Sequence, residues 1–394
     1  MPHVSPTMKA LVVLKPNVVE IQDVETPTPG PNEVLARVRA VSICGTDAHL
    51  VRGDYPGFWP LSFPFIPGHE WAGEIVALGP GADLYGWRIG DRIAGTSHDA
   101  CGFCQKCVEG HYNLCENYGK PGLHKQYGHN YQGADATYVV QGVKTVFKLP
   151  DGISFEDGAI IDPASIALHV ANRGGIAPGD AVAITGGGAI GLLSGDAARI
   201  RGASRVIVVE PNAGRRAKAA ELGFETVDPG ATDPVEAVRA MTGGLGVDVV
   251  LECAGVPVTV QWALGMLRRG GRCAAVGIPT VGVEIAMQKL VLDELEIVGC
   301  RASAGEMRRV MPLVEQGRMR AHEMVTHRFS LSHYDQALAT FNDPKSGAIK
   351  IVSCPERRAT PVPTLSRDHG TFRYRRGRPR EGLADAPRPA AGHR

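Results

Sequence analysis

An apolar run, Ala181-Val182-Ala183-Ile184-Thr185, passes directly into Gly186-Gly187-Gly188-Ala189-Ile190-Gly191 and then into a helix-forming stretch, Leu192–Ile200. No other segment constrains the fold so tightly. Gly186, Gly188 and Gly191 fit G-x-G-x-x-G. The first glycine permits a tight turn, the second lets the backbone approach a pyrophosphate, and the third lets helix and strand pack closely. Spacing alone would mean little in a chain with 49 glycines among 394 residues. The context adds the weight: a strand before, a helix after, and Glu210 ending the next apolar run, 19 residues past Gly191. Ala189 and Ile190 open the helix, whose free N–H groups and positive dipole end suit phosphates. Glu210 can accept hydrogen bonds from adenosine ribose hydroxyls and would repel a 2′-phosphate, which favours NAD over NADP. Arg215 and Arg216 pull the other way, because an arginine nearby can bind that phosphate.

The same rhythm continues on both sides. Arg205–Glu210 reads as a strand, Ala213–Leu222 as a helix, and Val247–Glu252 and Arg272–Val276 as further buried strands. Strands alternating with helices predict a parallel sheet covered by helices. Residues 8 to about 155 instead alternate short β-like runs with turns, as in Met8–Val13 and Val34–Val41.

From Pro355 the texture changes again. The last 40 residues hold six Pro, ten Arg, four acids and few large aliphatics, so burial cannot offset their ordering entropy, and a disordered basic tail is expected over 355–394. The tail's surplus of six positive charges, against +1 for the whole chain, leaves the body at −5. A mildly acidic body argues against nucleic-acid binding. No run of about 18 apolar residues exists to span a membrane, and the first seven residues lack the pattern of a secretory signal. Nine cysteines without such a signal point to a reducing, cytoplasmic compartment, where clustered cysteines serve as metal ligands or catalytic groups more often than as disulfides.

Two constellations suit metals. Cys101-x2-Cys104-x2-Cys107-x7-Cys115 gathers four thiolates within 15 residues, the closed tetrahedral set of a structural zinc. An iron–sulfur cluster also takes four cysteines, but the final gap of seven and the lack of a following proline do not fit the bacterial ferredoxin spacing. The second set is scattered: Cys44 in Cys44-Gly45-Thr46-Asp47-Ala48-His49, His69 and Glu70 in Gly68-His69-Glu70, and Asp162 in Asp162-Pro163. Thiolate, imidazole and carboxylate are the ligands of a catalytic zinc with an open position, although nothing local shows that these pieces meet. An N-cap of the following helix is the alternative reading of Asp162.

These residues resemble a known family. Gly68-His69-Glu70-x2-Gly73-x5-Gly79, continuing to Gly90-Asp91-Arg92-Ile93, is similar to the zinc signature of the medium-chain dehydrogenase/reductases, the superfamily of alcohol, sorbitol and threonine dehydrogenases. Cys44-Gly45-Thr46-Asp47, the four-cysteine lobe and the glycine turn fall in family order. Asp162-Pro163-Ala164-Ser165-Ile166-Ala167-Leu168-His169 resembles a polyol dehydrogenase stretch, with Asp where many members have Glu, and Thr326–Leu331 resembles a C-terminal segment of threonine and polyol dehydrogenases.

The resemblance implies an α/β protein of two domains. A GroES-like, partly open β-barrel catalytic domain would comprise residues 1–160 and 296–354, with a doubly wound, parallel-sheet Rossmann domain over 161–295. Two zincs per subunit are implied. Cys44, His69 and Glu70 would hold the catalytic one, with Asp162 a fourth ligand or a partner of zinc-bound water. Thr46 would take the substrate proton, His49 would release it to solvent, and Asp47 would orient His69. Zinc acts as a Lewis acid on an alcohol oxygen while the nicotinamide takes hydride.

The expected substrate is a secondary alcohol of the polyol, cyclitol or amino-alcohol class, converted to its ketone, with Arg301 available to bond its hydroxyls. Threonine-dehydrogenase-like oxidation of an amino-acid alcohol is one alternative. A zinc-stabilised interaction protein is another, although it would not need Cys44, His69 and Glu70. A homodimer or homotetramer is implied, with Val283–Val298 available to supply edge strands.

Overall fold

The computed structural model describes residues 4–55, 59–60, 62–355 and 372–373. Six parallel strands form one sheet, in the spatial order Glu225–Val227, Arg205–Val209, Ala181–Thr185, Val247–Glu252, Leu267–Ala275 and Glu296–Gly299. By order along the chain this is 3-2-1-4-5-6, the doubly wound arrangement, whose direction reverses beside Ala181–Thr185. The central strands are apolar runs because both faces are covered. Ile184 and Val208 pack in the core shared with helices Ile161–Arg173 and Ala189–Arg201, while Ala183 and Ile207 face the opposite side with Val238 and Ala263.

Around residue 296 the sequence reading needs two corrections. Glu296–Gly299 is the sixth strand of this sheet, so the parallel sheet runs past the boundary expected at 295. Within Val283–Val298 only this one edge strand forms, because Met287–Leu292 is helical. The helix packs Leu290 against the sheet core and bonds Lys289 to Asp293 at 2.5 Å, one turn on.

The second body is largely antiparallel. Glu33–Ser42 pairs with both Glu70–Leu78 and Tyr138–Gly142, and the path continues through Arg92–Gly95 to Val146–Lys148. After the parallel sheet the chain returns here: Lys350–Cys354 pairs with Glu33–Ser42 on one side and with Val325–Ser330 on the other. A hairpin of Thr7–Lys15 and Val18–Glu25 lies against this barrel through the Ala10–Ala136 and Val13–Phe65 bridges. The expected disordered tail lies outside the described residues except for Phe372–Arg373, a short strand paired with Val18–Val19. Among the described residues no helix is long and apolar enough to cross a membrane.

Candidate metal centre and dinucleotide site

Strand Glu33–Ser42 ends two residues before helix Gly45–Arg52, and Cys44 is that helix's N-cap. Asp47, at the third helical position, accepts the Cys44 backbone N–H at 2.8 Å through Oδ2, which fixes where the thiol points. The other Asp47 oxygen lies 3.3 Å from His69 Nδ1, an ion-pair approach without the alignment of a hydrogen bond. His69 follows Gly68 and immediately precedes strand Glu70–Leu78, and a Cβ on Gly68, whose φ is +92°, would lie 2.6 Å from the Asp135 backbone nitrogen.

Cys44 Sγ, a His69 ring nitrogen and a Glu70 carboxylate oxygen thereby lie within 4.8 Å of one another. With Nδ1 facing Asp47, Nε2 is left for a cation. Burial opposes charge on His69, yet Asp47 and then Cys44 hold its pKa well above the usual range. Thiol, imidazole and carboxylate in this compact group fit zinc.

Glu70 has further partners that the sequence did not signal. Its Oε2 accepts from the Ser42 hydroxyl and the Lys350 ammonium, and Lys350 also donates to the Ile43 carbonyl at 3.2 Å. Lys350 sits in an otherwise apolar strand run, which hints at a buried partner but not at which one. Asp162 stands outside the three-ligand group. It lies in the first turn of Ile161–Arg173, whose N-cap is Ile160, so it is not the cap. Its Oδ1 accepts from Thr96 Oγ1 at 3.0 Å, and burial raises its pKa to about 6. Thr46 Oγ1 is 3.7 Å from Cys44 Sγ. His49 Nδ1 lies 2.8 Å from both Asp54 Oδ2 and Arg52 Nη2, at the half-buried end of the same helix.

The four lobe cysteines also converge. Cys101 and Cys107 sulfurs are 3.9 Å apart and Cys104 and Cys115 sulfurs 4.0 Å. Zn–S bonds of about 2.3 Å in a tetrahedron require edges of about 3.8 Å, so the set fits zinc, and none of the nine cysteines forms a disulfide. Burial works against the Cys101 thiolate. Hydrogen bonds from the Asn117 amide, at 3.3 Å, and from backbone N–H groups nevertheless bring its pKa down to about 6.

At the glycine turn, Gly186 adopts φ +97° with Ala254 against it, and a Cβ on Gly191 would lie 1.8 Å from the Gly186 carbonyl oxygen. These two glycines serve turn and packing. A Cβ on Gly188 would meet nothing within 4 Å, so this glycine leaves an open approach to the backbone at the N-cap of Ala189–Arg201, where Ala189 and Ile190 begin the helix. That is the cradle a pyrophosphate needs. Glu210 accepts the Gly187 N–H at 2.6 Å and the Asn212 N–H at 2.7 Å, so its carboxylate is held beside the turn. Arg215 is committed to the Ala348 carbonyl through Nε at 3.0 Å and Nη2 at 2.8 Å, and Arg216 to Asp228 at 2.5 Å.

Arg301 lies in the segment after the sixth strand, with its guanidinium carbon 4.1 Å from the Tyr118 ring centroid. Trp59 and His129 lead from there to His69: the Trp59–His129 and His129–His69 ring centroids are 4.9 and 4.4 Å apart. Of the other aromatic residues in these loops, Tyr131 meets Tyr127 edge-on, with ring centroids 6.4 Å apart, and Phe58 lies outside the described residues.

Comparison with known proteins agrees with this geometry. Residues 30–151 match the alcohol dehydrogenase GroES-like domain and residues 189–316 the zinc-binding dehydrogenase domain. Sorbitol dehydrogenase of Bacillus subtilis is 33% identical over 360 residues, covering 91% of this chain and 100% of that one. L-threonine 3-dehydrogenase of Symbiobacterium thermophilum is 35% identical over 362 residues, covering 90% and 99%. Among solved structures, 2R,3R-butanediol dehydrogenase from Bacillus subtilis aligns with a TM-score of 0.79 at 31% identity, covering 89% of this chain and 100% of that one. A protein assigned as a zinc-binding dehydrogenase from Sinorhizobium meliloti, solved with NADP, aligns at 0.82 and 34%, with 89% and 100% coverage. The chain belongs to the zinc-dependent medium-chain dehydrogenase family. It is an alcohol dehydrogenase-type oxidoreductase that uses zinc and a nicotinamide cofactor.

Proposed function

We propose that this protein is an NAD-linked enzyme interconverting a secondary alcohol, of the polyol, cyclitol or amino-alcohol class, and its ketone. The convergence of Cys44, His69 and Glu70 within 4.8 Å carries the reading, because an interaction module would not need a mixed set of thiol, imidazole and carboxylate in one largely buried group. When bound, zinc supplies a Lewis acid that brings a substrate hydroxyl toward neutrality and the nicotinamide accepts hydride.

The chain's own residues do the rest. Asp47 keeps the His69 tautomer that leaves Nε2 for the cation. Thr46, beside Cys44, takes the substrate proton, and His49, steered by Asp54 and Arg52, delivers it to solvent. Asp162 completes the polar surround, as ligand or as partner of a water. The Glu210 carboxylate beside the glycine turn, with Arg215 and Arg216 already engaged, supports NAD over NADP. We place the enzyme in the cytoplasm, in keeping with cysteines that form no disulfide. A homodimer or homotetramer is supported by the edge strand Glu296–Gly299 and by Met287, Val291 and Leu292 exposed beside it.

The test is NADH formation across polyols, cyclitols and amino alcohols, repeated after chelation and with Cys44→Ala. Zinc-dependent turnover within these classes is expected. Activity retained after both treatments, or confined to simple unfunctionalised alcohols, overturns the reading.

A further inference from the structure

Among the described residues, Arg301 is a cation without a carboxylate counter-ion. Its main chain is pinned where Asn113 Nδ2 donates to its carbonyl at 2.7 Å, and its guanidinium carbon sits over the Tyr118 ring, 4.1 Å from the centroid. Nη2 is buried and has no hydrogen-bond partner. Among the described residues no carboxylate pairs with it, whereas the part-buried guanidinium of Arg320 is matched to Asp196 and that of Arg216 to Asp228. The adjacent imidazoles do not supply negative charge either. His98 and His124 are held neutral, first by burial and then by Arg301 itself. An unpaired donor buried this way costs free energy unless a ligand satisfies it.

Its position shows where such a ligand would sit. Tyr118 beneath the guanidinium accepts the Trp59 indole N–H at 2.6 Å, Trp59 meets His129 edge-on, and His129 lies tilted against the metal-site residue His69. Arg301 therefore ends a continuous wall that starts at the metal centre. A planar guanidinium stacked on an aromatic ring presents a rigid fork that matches a carboxylate in two-point fashion. No second cation faces the spot among the residues described above, which suits one negative charge better than a phosphate's two.

We propose that Arg301 anchors a carboxylate on the substrate, so that the alcohol oxidised at the metal is a polyhydroxy acid. This rests on the oxidoreductase reading above, with its substrate class made narrower.

The test compares acids with their matched alcohols: threonate with threitol, xylonate with xylitol and gluconate with sorbitol. Turnover is followed with NAD, and binding to the zinc-loaded protein is followed separately by calorimetry and by quenching of tryptophan fluorescence, to which Trp59 contributes. At least one acid should bind and show a KM about tenfold or more below its alcohol partner, the scale of a charge-assisted hydrogen bond. Arg301→Gln should abolish that preference, raising the acid's KM about tenfold more than the alcohol's. Arg301→Lys, which keeps the charge without the fork, should retain part of it and covers the case in which the Gln variant fails to fold. Polyol oxidation with no gain for any acid, or an acid preference that survives Arg301→Gln, overturns this inference and leaves the oxidoreductase reading intact. Arg301-dependent binding of acids with no oxidation of any compound overturns the oxidoreductase reading and keeps only the carboxylate anchor.

Discussion

Lys350 and Glu70, 280 positions apart in the chain, form a buried ion pair, and Glu70 also belongs to the Cys44–His69–Glu70 group that fits a metal. The two side chains are 5% and 1% exposed, so neither charge is balanced by water. The pair depends on the return of the C-terminal strand Lys350–Cys354 to the barrel, beside Glu33–Ser42. Removing one partner of a buried pair strands the other charge, and Lys350→Met should therefore cost the metal-free protein about 3–5 kcal/mol. The loss should shrink once zinc is loaded, because the cation then serves as the counter-charge for Glu70. Urea melts with and without zinc check this, and equal losses in both states would count against Glu70 facing the metal.

Asp47→Asn keeps the shape of the side chain while removing its charge. His69 then loses the carboxylate that fixes its tautomer, and zinc affinity should fall about 10–100-fold. Competition with a chromophoric chelator gives the constant. An unchanged affinity would show that Asp47 serves only to hold the Cys44 backbone N–H.

Zinc binding should release protons, since the cation must displace the proton that Asp47 and Cys44 favour on His69 and any proton on the Cys44 thiol. Affinity should accordingly weaken as pH falls below neutrality. Calorimetry in buffers of different ionisation enthalpy counts the protons, and a count near zero would contradict the ligand set.

Asp162 gives a pH effect of defined sign. Its folded pKa is raised from 3.8 to about 6 by burial, so between those values the native state holds more protons than the unfolded one. Stability of the metal-free protein should fall as pH rises through that window. At pH 7 the cost reaches at most about 3 kcal/mol, and Asp162→Asn should remove it. Melting temperatures of both proteins at pH 4 and pH 7 test this: the variant should gain relative to the parent only at the higher pH.

Cys101→Ser should lower zinc content from two to one per subunit, measured by elemental analysis, and should reduce the melting temperature. The lobe has only a small satellite cluster of Ala100, Cys104 and Cys115 with a few partners, so the metal supplies much of its cohesion. Zinc content that stays at two would refute a tetrahedral four-sulfur site.

How much was legible beforehand depended on sequence separation. The four lobe cysteines lie within 15 residues, and short chain segments hold few alternative geometries, so their spacing alone identified a metal shell. The glycine turn was readable for the same reason: Gly186 needs a positive φ, Gly191 needs contact with the Gly186 carbonyl, and Gly188 needs to stay open, all within six residues. The doubly wound sheet followed from alternating apolar runs. Its edge did not, because whether a short apolar run near 290 becomes strand or helix is decided by what it packs against.

By itself, then, the sequence determined the local patterns: the glycine turn between strand and helix, and four cysteines spaced closely enough to converge. Only the tertiary structure decided which distant groups met. The Lys350–Glu70 pair, the Thr96 hydroxyl on Asp162 across 66 positions, and Arg301 stacked on Tyr118 all join different elements. No local pattern encodes such pairings. They arise because packing brings the ends of separate strands and loops to one cleft, where an unpaired buried charge is costly and each site must find its partner in space.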